Sequence, residues 1–155
     1  MNKIHYSTVF CFGIIRSMSK KKSKQPNPGQ VIIPGGHPNP PDSFEMDVAC
    51  ILVNHYHCDV VFIIPNYDYM RKSADIVMNG VEWEIKSPTG ASKSTIGNQL
   101  RWGSKQSKSI VMDTRHTTLT YEEIEKRVKY EVLSKSSIKR VILINKSGKI
   151  VEIRK

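Results

Sequence analysis

The stretch "SADIVMNGVEWEIKSPTG", residues 73–90, carries three charged residues inside two short apolar runs. Asp75 stands at the start of the first run, and Glu84 and Lys86 alternate with apolar residues in the second. The Asn79-Gly80 pair between the runs predicts a tight hairpin of two strands. Residues 84 and 86 point to the same face of a strand, and the turn brings Asp75 close to Glu84. The sequence therefore predicts that two carboxylates and one ammonium meet at one point of a sheet.

Two carboxylates beside a lysine suit metal-assisted hydrolysis of a phosphodiester bond. Carboxylate oxygens are ligands that Mg²⁺ and Mn²⁺ prefer. Such an ion polarises the scissile phosphate and supplies hydroxide from bound water. A lysine such as Lys86 can orient that water and stabilise the developing charge. A structural ion pair between Lys86 and Glu84, with Asp75 at a strand edge, is the alternative interpretation of the same spacing.

Two features of the surrounding sequence favour the catalytic interpretation. Trp83 and Ile85 alternate with the charges, which predicts one apolar strand face and one polar face that carries Glu84 and Lys86. The segment 85–112 contains no Asp or Glu, and a basic stretch without acids suits a phosphate-bearing substrate. After Lys86, the basic residues of that segment are Lys93, Arg101, Lys105 and Lys108.

A helix is predicted to begin at about Ser94, after the loop that follows Lys86. Arg101, Lys105 and Lys108 recur at helical spacing and predict a basic stripe that contacts a nucleic-acid backbone. A solvated helix surface is the alternative for this stripe. Gly103 permits a close approach of the helix to the sheet, and Gln106 is expected to reach the carboxylates.

Charge and composition limit the classes of function. The chain has 155 residues, and 24 Lys and Arg against 14 Asp and Glu give a net charge of +10. This excess indicates a polyanionic partner, with nucleic acid ahead of an anionic membrane. Three cysteines without paired spacing predict no disulfide framework and favour a reducing compartment. No apolar run is long enough to span a bilayer.

The order of elements predicts an α/β protein with a mixed central sheet flanked by helices. Residues 1–43 are expected to form a basic, Pro- and Gly-rich arm without regular structure, and residues 44–155 to form the folded domain. The part before Met18 is interpreted as an upstream extension of the true start, a disordered leader, or an added strand. The domain reads as helix, three strands, helix, strand, helix and hairpin.

The segments "ADIVMNGVEWEIKSPTG" and "TIGNQLRWGSKQSKSIVMD" together resemble the C-terminal tRNA-nuclease domain of contact-dependent growth inhibition toxins, the CdiA C-terminal type. The resemblance runs from about Phe44 to the C-terminus. It implies a restriction-endonuclease-like PD-(D/E)XK core and a metal-dependent endonuclease that uses Mg²⁺ or Mn²⁺. Ala74 stands where the literal motif has proline.

The resemblance also implies roles for individual residues and partners. Asp75 and Glu84 would be metal ligands, Glu45 on the first helix would complete the metal shell, and Lys86 would be the catalytic lysine. Gln106 would match a polar residue near the site. The implied substrate is tRNA ahead of DNA, the implied site of action is the cytoplasm, and a cognate immunity protein is an expected partner. A DNA endonuclease of a mobile element and a non-catalytic nucleic-acid-binding module are the alternatives.

Two further segments are candidates for substrate contacts. Tyr67 and Tyr69, in the loop before Asp75, are of the type that stacks on unpaired bases. Asp113, Arg115 and His116 follow the end of a predicted strand, where substrate contacts are expected. An ordinary polar loop explains these three residues equally well.

Overall fold

The computed structural model describes residues 6–9, 28–65 and 73–155. Within these ranges the chain forms eight strands and three helices. The strands are β1 Tyr6–Val9, β2 Val31–Pro34, β3 Val60–Phe62, β4 Ile76–Met78, β5 Val81–Lys86, β6 Ser109–Asp113, β7 Arg140–Ile144 and β8 Ile150–Arg154. The helices are α1 Ser43–Tyr56, α2 Lys93–Gly103 and α3 Tyr121–Ser134.

The described strands form one mixed sheet in which the strand order follows the chain order. The pairs β2–β3, β5–β6 and β6–β7 are parallel, and each is connected through a helix: α1, α2 and α3 respectively. The remaining neighbours are antiparallel. The predicted mixed sheet with flanking helices is confirmed, because parallel neighbours require such crossover helices.

The helices divide between the two faces of the sheet, and each face has its own apolar core. On one face α1 packs over a cluster that includes Val60, Ile76 and Trp83. On the other face α2 and α3 pack over Ile110 and Val141. Successive strand residues therefore alternate between the two cores, as the period of a strand requires.

Capping contacts mark the starts of α1 and α3. The Asp42 side chain accepts a hydrogen bond from the Glu45 N–H, and the Glu45 side chain accepts one from the Asp42 N–H, which closes a capping box on α1. Thr120 and Glu123 form the same reciprocal pair at the start of α3. Among the described helices, none is both long and apolar enough to cross a membrane.

The predicted unstructured arm is wrong where residues 1–43 are described. Val31–Pro34 forms a strand that pairs in parallel with β3 and antiparallel with Tyr6–Val9, and Val31 is fully buried in the core below α1. The short apolar run is surrounded by Pro and Gly, and its pairing partners lie far away in the sequence, so local pattern did not reveal it. Residues 10–27, with most of the basic side chains of the predicted arm, lie outside the described residues.

One cysteine also differs from the expectation. Cys50 on α1 is disulfide-bonded, although the spacing of the cysteines predicts no disulfide framework. Cys58 is a free, half-buried thiol. Burial raises the pKa of the Cys58 thiol, so it is less reactive than an exposed one.

Candidate active site

The hairpin of β4 and β5 brings the first two predicted residues together. Asn79-Gly80 forms its turn, with φ of 51° and 72° at the two residues, as a two-residue hairpin turn of this hand requires. Ile76 pairs with Trp83 across the hairpin. Asp75 and Glu84 each lie one residue further from the turn, so the two carboxylates face one another at the end of the paired strands.

Backbone groups on both sides hold Asp75 in place. Its Oδ2 accepts a hydrogen bond of 2.7 Å from the Ile85 N–H. Its own N–H donates to the Trp83 carbonyl at 3.1 Å, and its carbonyl accepts from the Ile63 N–H at 2.9 Å. Burial raises the pKa of the Asp75 carboxyl, and the Ile85 N–H and the Lys86 charge act in the opposite direction.

Glu84 is the most confined member of the site, with a relative exposure of 1 %. Its Oε1 accepts hydrogen bonds from the Lys86 ammonium and from the Gln106 amide. Its Oε2 is buried and has no hydrogen-bond partner. Burial, followed by the charge of Asp75, raises the pKa of Glu84 to about 7. The lysine lowers the pKa without cancelling these effects.

The C-terminal end of α2 and the turn that follows it pack against Glu84 and Lys86. Gln106 lies in the turn after the helix, where its N–H donates to the Gly103 carbonyl at 2.9 Å. Gly103 is buried, and a Cβ there would lie 3.4 Å from Glu84 Cγ and 3.5 Å from Lys86 Cγ. The glycine therefore lets the helix end rest on the stems of both charged side chains, as the sequence predicts. Glu84 and Lys86 share this face of β5 because they alternate with Trp83 and Ile85.

Glu45 lies across a cleft from this group and has a structural contact of its own. Its Oε2 accepts from the Asp42 N–H at 2.9 Å, and its N–H donates to Asp42 Oδ1 at 2.8 Å. Burial raises the pKa of Glu45, and the charge of Asp75 acts in the same direction, which places the two carboxylates within electrostatic range. Lys86 acts against this shift.

The resemblance implies Mg²⁺ or Mn²⁺, which needs several oxygen ligands close together. In residues 28–65 and 73–155, no three Asp, Glu, His or Cys side chains gather closely enough to hold a metal ion. Asp75 and Glu84 are together, whereas Glu45 stays in the helix cap. Two neighbouring carboxylates, of which Glu84 is almost fully buried, are nevertheless an arrangement that a divalent cation stabilises. The pair fits Mg²⁺ or Mn²⁺, and the role of Glu45 as a further ligand stays a prediction.

A cleft of about 300 Å³ opens beside the site. Its lining residues are Asp42, Phe44, Glu45, Ile85, Lys86, Ser87, Thr89 and His116. The sequence reasoning missed three of these, Phe44, Ser87 and Thr89. Phe44 is four residues before the buried Val48 and so has the spacing of an apolar helix face, but it is 48 % exposed. The signal for Ser87 and Thr89 is their position directly after Lys86, where the chain leaves the sheet.

The predicted basic stripe does not lie on one helix. Helix α2 ends at Gly103, and the chain then turns, so Lys105 lies in a turn and Lys108 directly precedes β6. The prediction of helical spacing through these residues is wrong because the turn interrupts the helix. Arg101, Lys105 and Lys108 are all exposed, and Lys93 is the first residue of α2. Their contacts with nucleic acid stay predictions.

The other predicted substrate contacts divide into two groups. Tyr67 and Tyr69 lie outside the described residues. Asp113, Arg115 and His116 are at the carboxyl end of β6, and His116 lines the cleft beside Lys86. The structure therefore brings the end of β6 to the same cleft, whereas the sequence pattern was equally compatible with a substrate loop and with an ordinary polar loop.

Comparison with protein families identifies the chain. Residues 72–150 match the model of the contact-dependent growth inhibition CdiA C-terminal domain, and this segment is 79 of the 155 residues. The chain belongs to the CdiA C-terminal domain family. The segment that matches the family model contains Asp75, Glu84, Lys86 and Gln106 and excludes Glu45. The resemblance inferred from the sequence is confirmed at this level.

A solved structure of a CdiA-CT/CdiI toxin and immunity complex from Burkholderia pseudomallei is similar to this member of the family. The TM-score is 0.53 at 19 % sequence identity, over 76 % of this chain and 92 % of the other. At that identity the likeness shows the fold. A comparison with curated protein sequences found no match.

Proposed function

We propose that the chain is a toxin domain with metal-dependent endonuclease activity of the PD-(D/E)XK type, and that it hydrolyses phosphodiester bonds in RNA, most favourably in tRNA. The observation that carries this proposal is the convergence of Asp75, Glu84, Lys86 and Gln106, in which the two carboxylates raise one another's demand for positive charge and Glu84 is almost fully buried. In an ordinary structural ion pair the carboxylate is balanced by cations, whereas Glu84 has one lysine and faces a second carboxylate, that of Asp75.

The protein's own groups divide the work at the site. Asp75 and Glu84 would hold Mg²⁺ or Mn²⁺, which when bound polarises the phosphate and activates water. Lys86 is 20 % exposed, so its ammonium can reach the cleft while its stem stays packed under α2. It would orient the attacking water and stabilise charge on the phosphate. Gln106 donates a hydrogen bond to Glu84 Oε1 and so would fix the orientation of the carboxylate, with Oε2 on the side away from Gln106.

The choice of substrate and partner rests on charge and on the family. A net charge of +10 favours a polyanion, and the exposed Arg101, Lys105 and Lys108 lie on the chain segment that continues from the site. The family is that of contact-dependent growth inhibition, and the similar solved structure is a toxin and immunity complex. We therefore expect action in the cytoplasm of a target cell and neutralisation by a cognate immunity protein.

Incubation with total tRNA and, separately, with plasmid DNA tests the proposal. Each reaction is run with Mg²⁺, with Mn²⁺ and with EDTA. We expect metal-dependent cleavage of tRNA, reduced roughly 10²- to 10⁴-fold in Lys86→Met because that change removes a group acting on the reacting atoms. Lys146→Met, an exposed lysine in the turn between β7 and β8, is the matched control and should cleave as the wild type does.

Each outcome separates the candidate functions. Cleavage of DNA alone would retain the site and replace the RNA assignment with a DNA endonuclease of a mobile element. If neither substrate is cleaved, calorimetry with Mn²⁺ decides the next step. The absence of a Mn²⁺ site that depends on Asp75, measured as equal heats in the wild type and Asp75→Ala, would leave a non-catalytic nucleic-acid-binding module. Equal cleavage by Lys86→Met and Lys146→Met would remove Lys86 from the mechanism.

A further inference from the structure

An exposed aromatic pair stands at the mouth of the cleft beside the proposed catalytic groups. Phe44 is in the first turn of α1 and is 48 % exposed, although residues further along the same helix, such as Val48 and Leu52, are fully buried. Its ring meets the His116 ring edge-to-face, with centroids 5.1 Å apart and planes at 85°. Two perpendicular rings form a corner, and a flat group entering it can stack on one ring and touch the edge of the other.

The His116 side of this corner is held by a fixed loop. Asp113 is fully buried and accepts two hydrogen bonds of 2.9 Å from the Arg115 guanidinium and one of 3.1 Å from the Arg115 N–H. The Thr114 N–H and hydroxyl both donate to the Ile144 carbonyl, at 2.9 and 2.8 Å. Because the loop is anchored at these points, His116 keeps its position against Phe44 before any ligand arrives.

The rest of the cleft offers the contacts that a sugar and a phosphate need. Besides Phe44 and His116, its lining includes Lys86, Ser87 and Thr89, whose side chains carry an ammonium and two hydroxyls. Its volume of about 300 Å³ is at the low end for small-molecule sites, which suits one nucleotide. The acidic side chains in the lining, Asp42 and Glu45, are engaged with each other's backbone N–H groups at the helix cap.

We propose that the Phe44–His116 pair is a nucleobase subsite that stacks one unpaired base of the substrate next to the scissile phosphate. The inference rests on the proposed nuclease function and narrows its substrate to single-stranded segments, such as loops and ends of a folded RNA. A base inside a duplex is covered on both faces and cannot enter the corner, whereas an unpaired base stacks readily on aromatic side chains.

Binding of a short single-stranded RNA tests the subsite without depending on cleavage. Fluorescence anisotropy in EDTA gives the Kd for the wild-type chain and for variants at position 44. Phe44→Leu keeps the apolar bulk and loses the ring, so binding should weaken roughly 5- to 100-fold. Phe44→Trp keeps an aromatic face and should bind within a few-fold of the wild type. His116→Ala should weaken binding in the same direction.

Two controls make the result specific to stacking. Tyr130→Leu removes an aromatic ring that is 61 % exposed on α3 and should leave the Kd unchanged. The same RNA annealed to its complement should bind with a Kd that does not depend on residue 44. The slope of log Kd against log salt should be equal in wild type and Phe44→Leu, because no phosphate contact is removed.

The outcomes distinguish failure of the subsite from failure of the proposed function. A Kd unchanged in Phe44→Leu, or no binding of single-stranded RNA, overturns the subsite even if the wild type cleaves tRNA. An effect of Phe44→Leu that Phe44→Trp does not rescue, or an equal effect on the duplex, also overturns it. A ring-dependent Kd for single strands supports the subsite even if no cleavage is found. Thermal unfolding verifies that each variant is folded.

Discussion

Two buried glutamates, one on β5 and one on α3, occupy opposite electrostatic situations. Glu84 and Glu131 are both 1 % exposed. Glu131 lies between two cations of its own helix, Arg127 at 2.5 Å from Oε1 and Lys135 at Oε2. Glu84 has one lysine and faces a second carboxylate, that of Asp75. A surplus of cations stabilises an ionised carboxylate, whereas a surplus of carboxylates leaves room for another cation.

Burial of a carboxylate is therefore a poor guide to function, and the local balance of charge is a better one. Around Glu131 the chain supplies two counter-ions, Arg127 one turn earlier on α3 and Lys135 at its C-terminal cap. Around Glu84 the balance is incomplete, because one lysine faces the two carboxylates of Glu84 and Asp75. The comparison predicts that equal substitutions at the two positions have opposite consequences for activity and for stability.

The largest expected contrast is between Glu84→Gln and Glu131→Gln. Glu84→Gln should lower tRNA cleavage by roughly 10³-fold or more, since losing a group that acts on the transition state costs about 10²–10³ even when it is a single hydrogen-bond donor. It should not lower the free energy of unfolding, because it removes repulsion from Asp75. Glu131→Gln should keep cleavage within a few-fold and destabilise the fold by about 1–2 kcal/mol, as Arg127 and Lys135 lose their partner.

Cleavage kinetics and urea unfolding of both variants measure this contrast. Lys86→Met is a third variant for the unfolding measurements. It leaves the carboxylates of Glu84 and Asp75 without their neighbouring cation, so it should destabilise the metal-free protein. Equal loss of stability in Glu84→Gln and Glu131→Gln would mean that Glu84 is a structural ion pair like Glu131.

The second prediction concerns pH. The pKa of Glu84 is raised to about 7 from a usual value near 4.5, so the folded chain holds a proton between these values that the unfolded chain has released. Stability of the metal-free protein should therefore fall as pH rises from about 4.5 to about 7, by a few kcal/mol at most, at about 1.4 kcal/mol per pKa unit. Asp75 contributes in the same direction, because its pKa is also raised.

Unfolding curves measured across this pH range in EDTA check the sign and the residue. Glu84→Gln should flatten the decline, and Glu131→Gln should keep it. Added Mg²⁺ should also reduce the decline, because a cation favours the ionised pair. A decline of the same size in Glu84→Gln would assign it to other groups.

The third prediction tests the amide that contacts the unbalanced glutamate. Gln106 donates to Glu84 Oε1, so the role we expect for it is to orient that carboxylate. Gln106→Leu should weaken Mn²⁺ binding and cleavage about 10- to 100-fold, the range for a residue that orients a ligand. Gln106→Glu should be worse, since it adds a third carboxylate. Calorimetry with Mn²⁺ separates this role from a contact with RNA, which would change the Kd for RNA and leave the Mn²⁺ affinity intact.

The residues that sequence reasoning placed correctly are those fixed by local pattern. Asn79-Gly80 determines the hairpin, and strand alternation then sets Glu84 and Lys86 on one face opposite Trp83. These features depend on residues within a few positions of one another, so their physical causes are visible in the sequence.

The features that sequence reasoning missed depend on distant parts of the chain. Val31 joins the core because it pairs with Val60, and nothing near Val31 signals that contact. Phe44 is exposed because the cleft below it is bounded by His116 from the end of β6, more than seventy residues away. The burial of Glu84 likewise results from the packing of α2 on β5. Strand alternation alone predicts that this face of β5 is a solvent-exposed polar surface.

The smallest predicted effect compares two glycines of the same helix. A Cβ on Gly103 would lie 3.3 Å from Ile110 Cδ1 and within 3.5 Å of the stems of Glu84 and Lys86. A Cβ on Gly97 would lie 2.6 Å from Nη2 of Arg127, the partner of Glu131. Gly103→Ala should therefore shift the side chains of Glu84 and Lys86 and, if they act as proposed, lower cleavage several-fold, since a misplacement of about 1 Å can cost roughly 100-fold in rate. We expect little change in stability.

Gly97→Ala should leave cleavage unchanged. The Arg127 side chain is flexible and 40 % exposed, so it can move aside, and the gain in helix propensity of up to about 1 kcal/mol offsets the weakened contact with Glu131. Kinetics and thermal unfolding of the two variants give a direct comparison. If Gly103→Ala lowered stability and left cleavage intact, the close contact of α2 with β5 would serve packing alone, and the geometry of Glu84 and Lys86 would tolerate displacement.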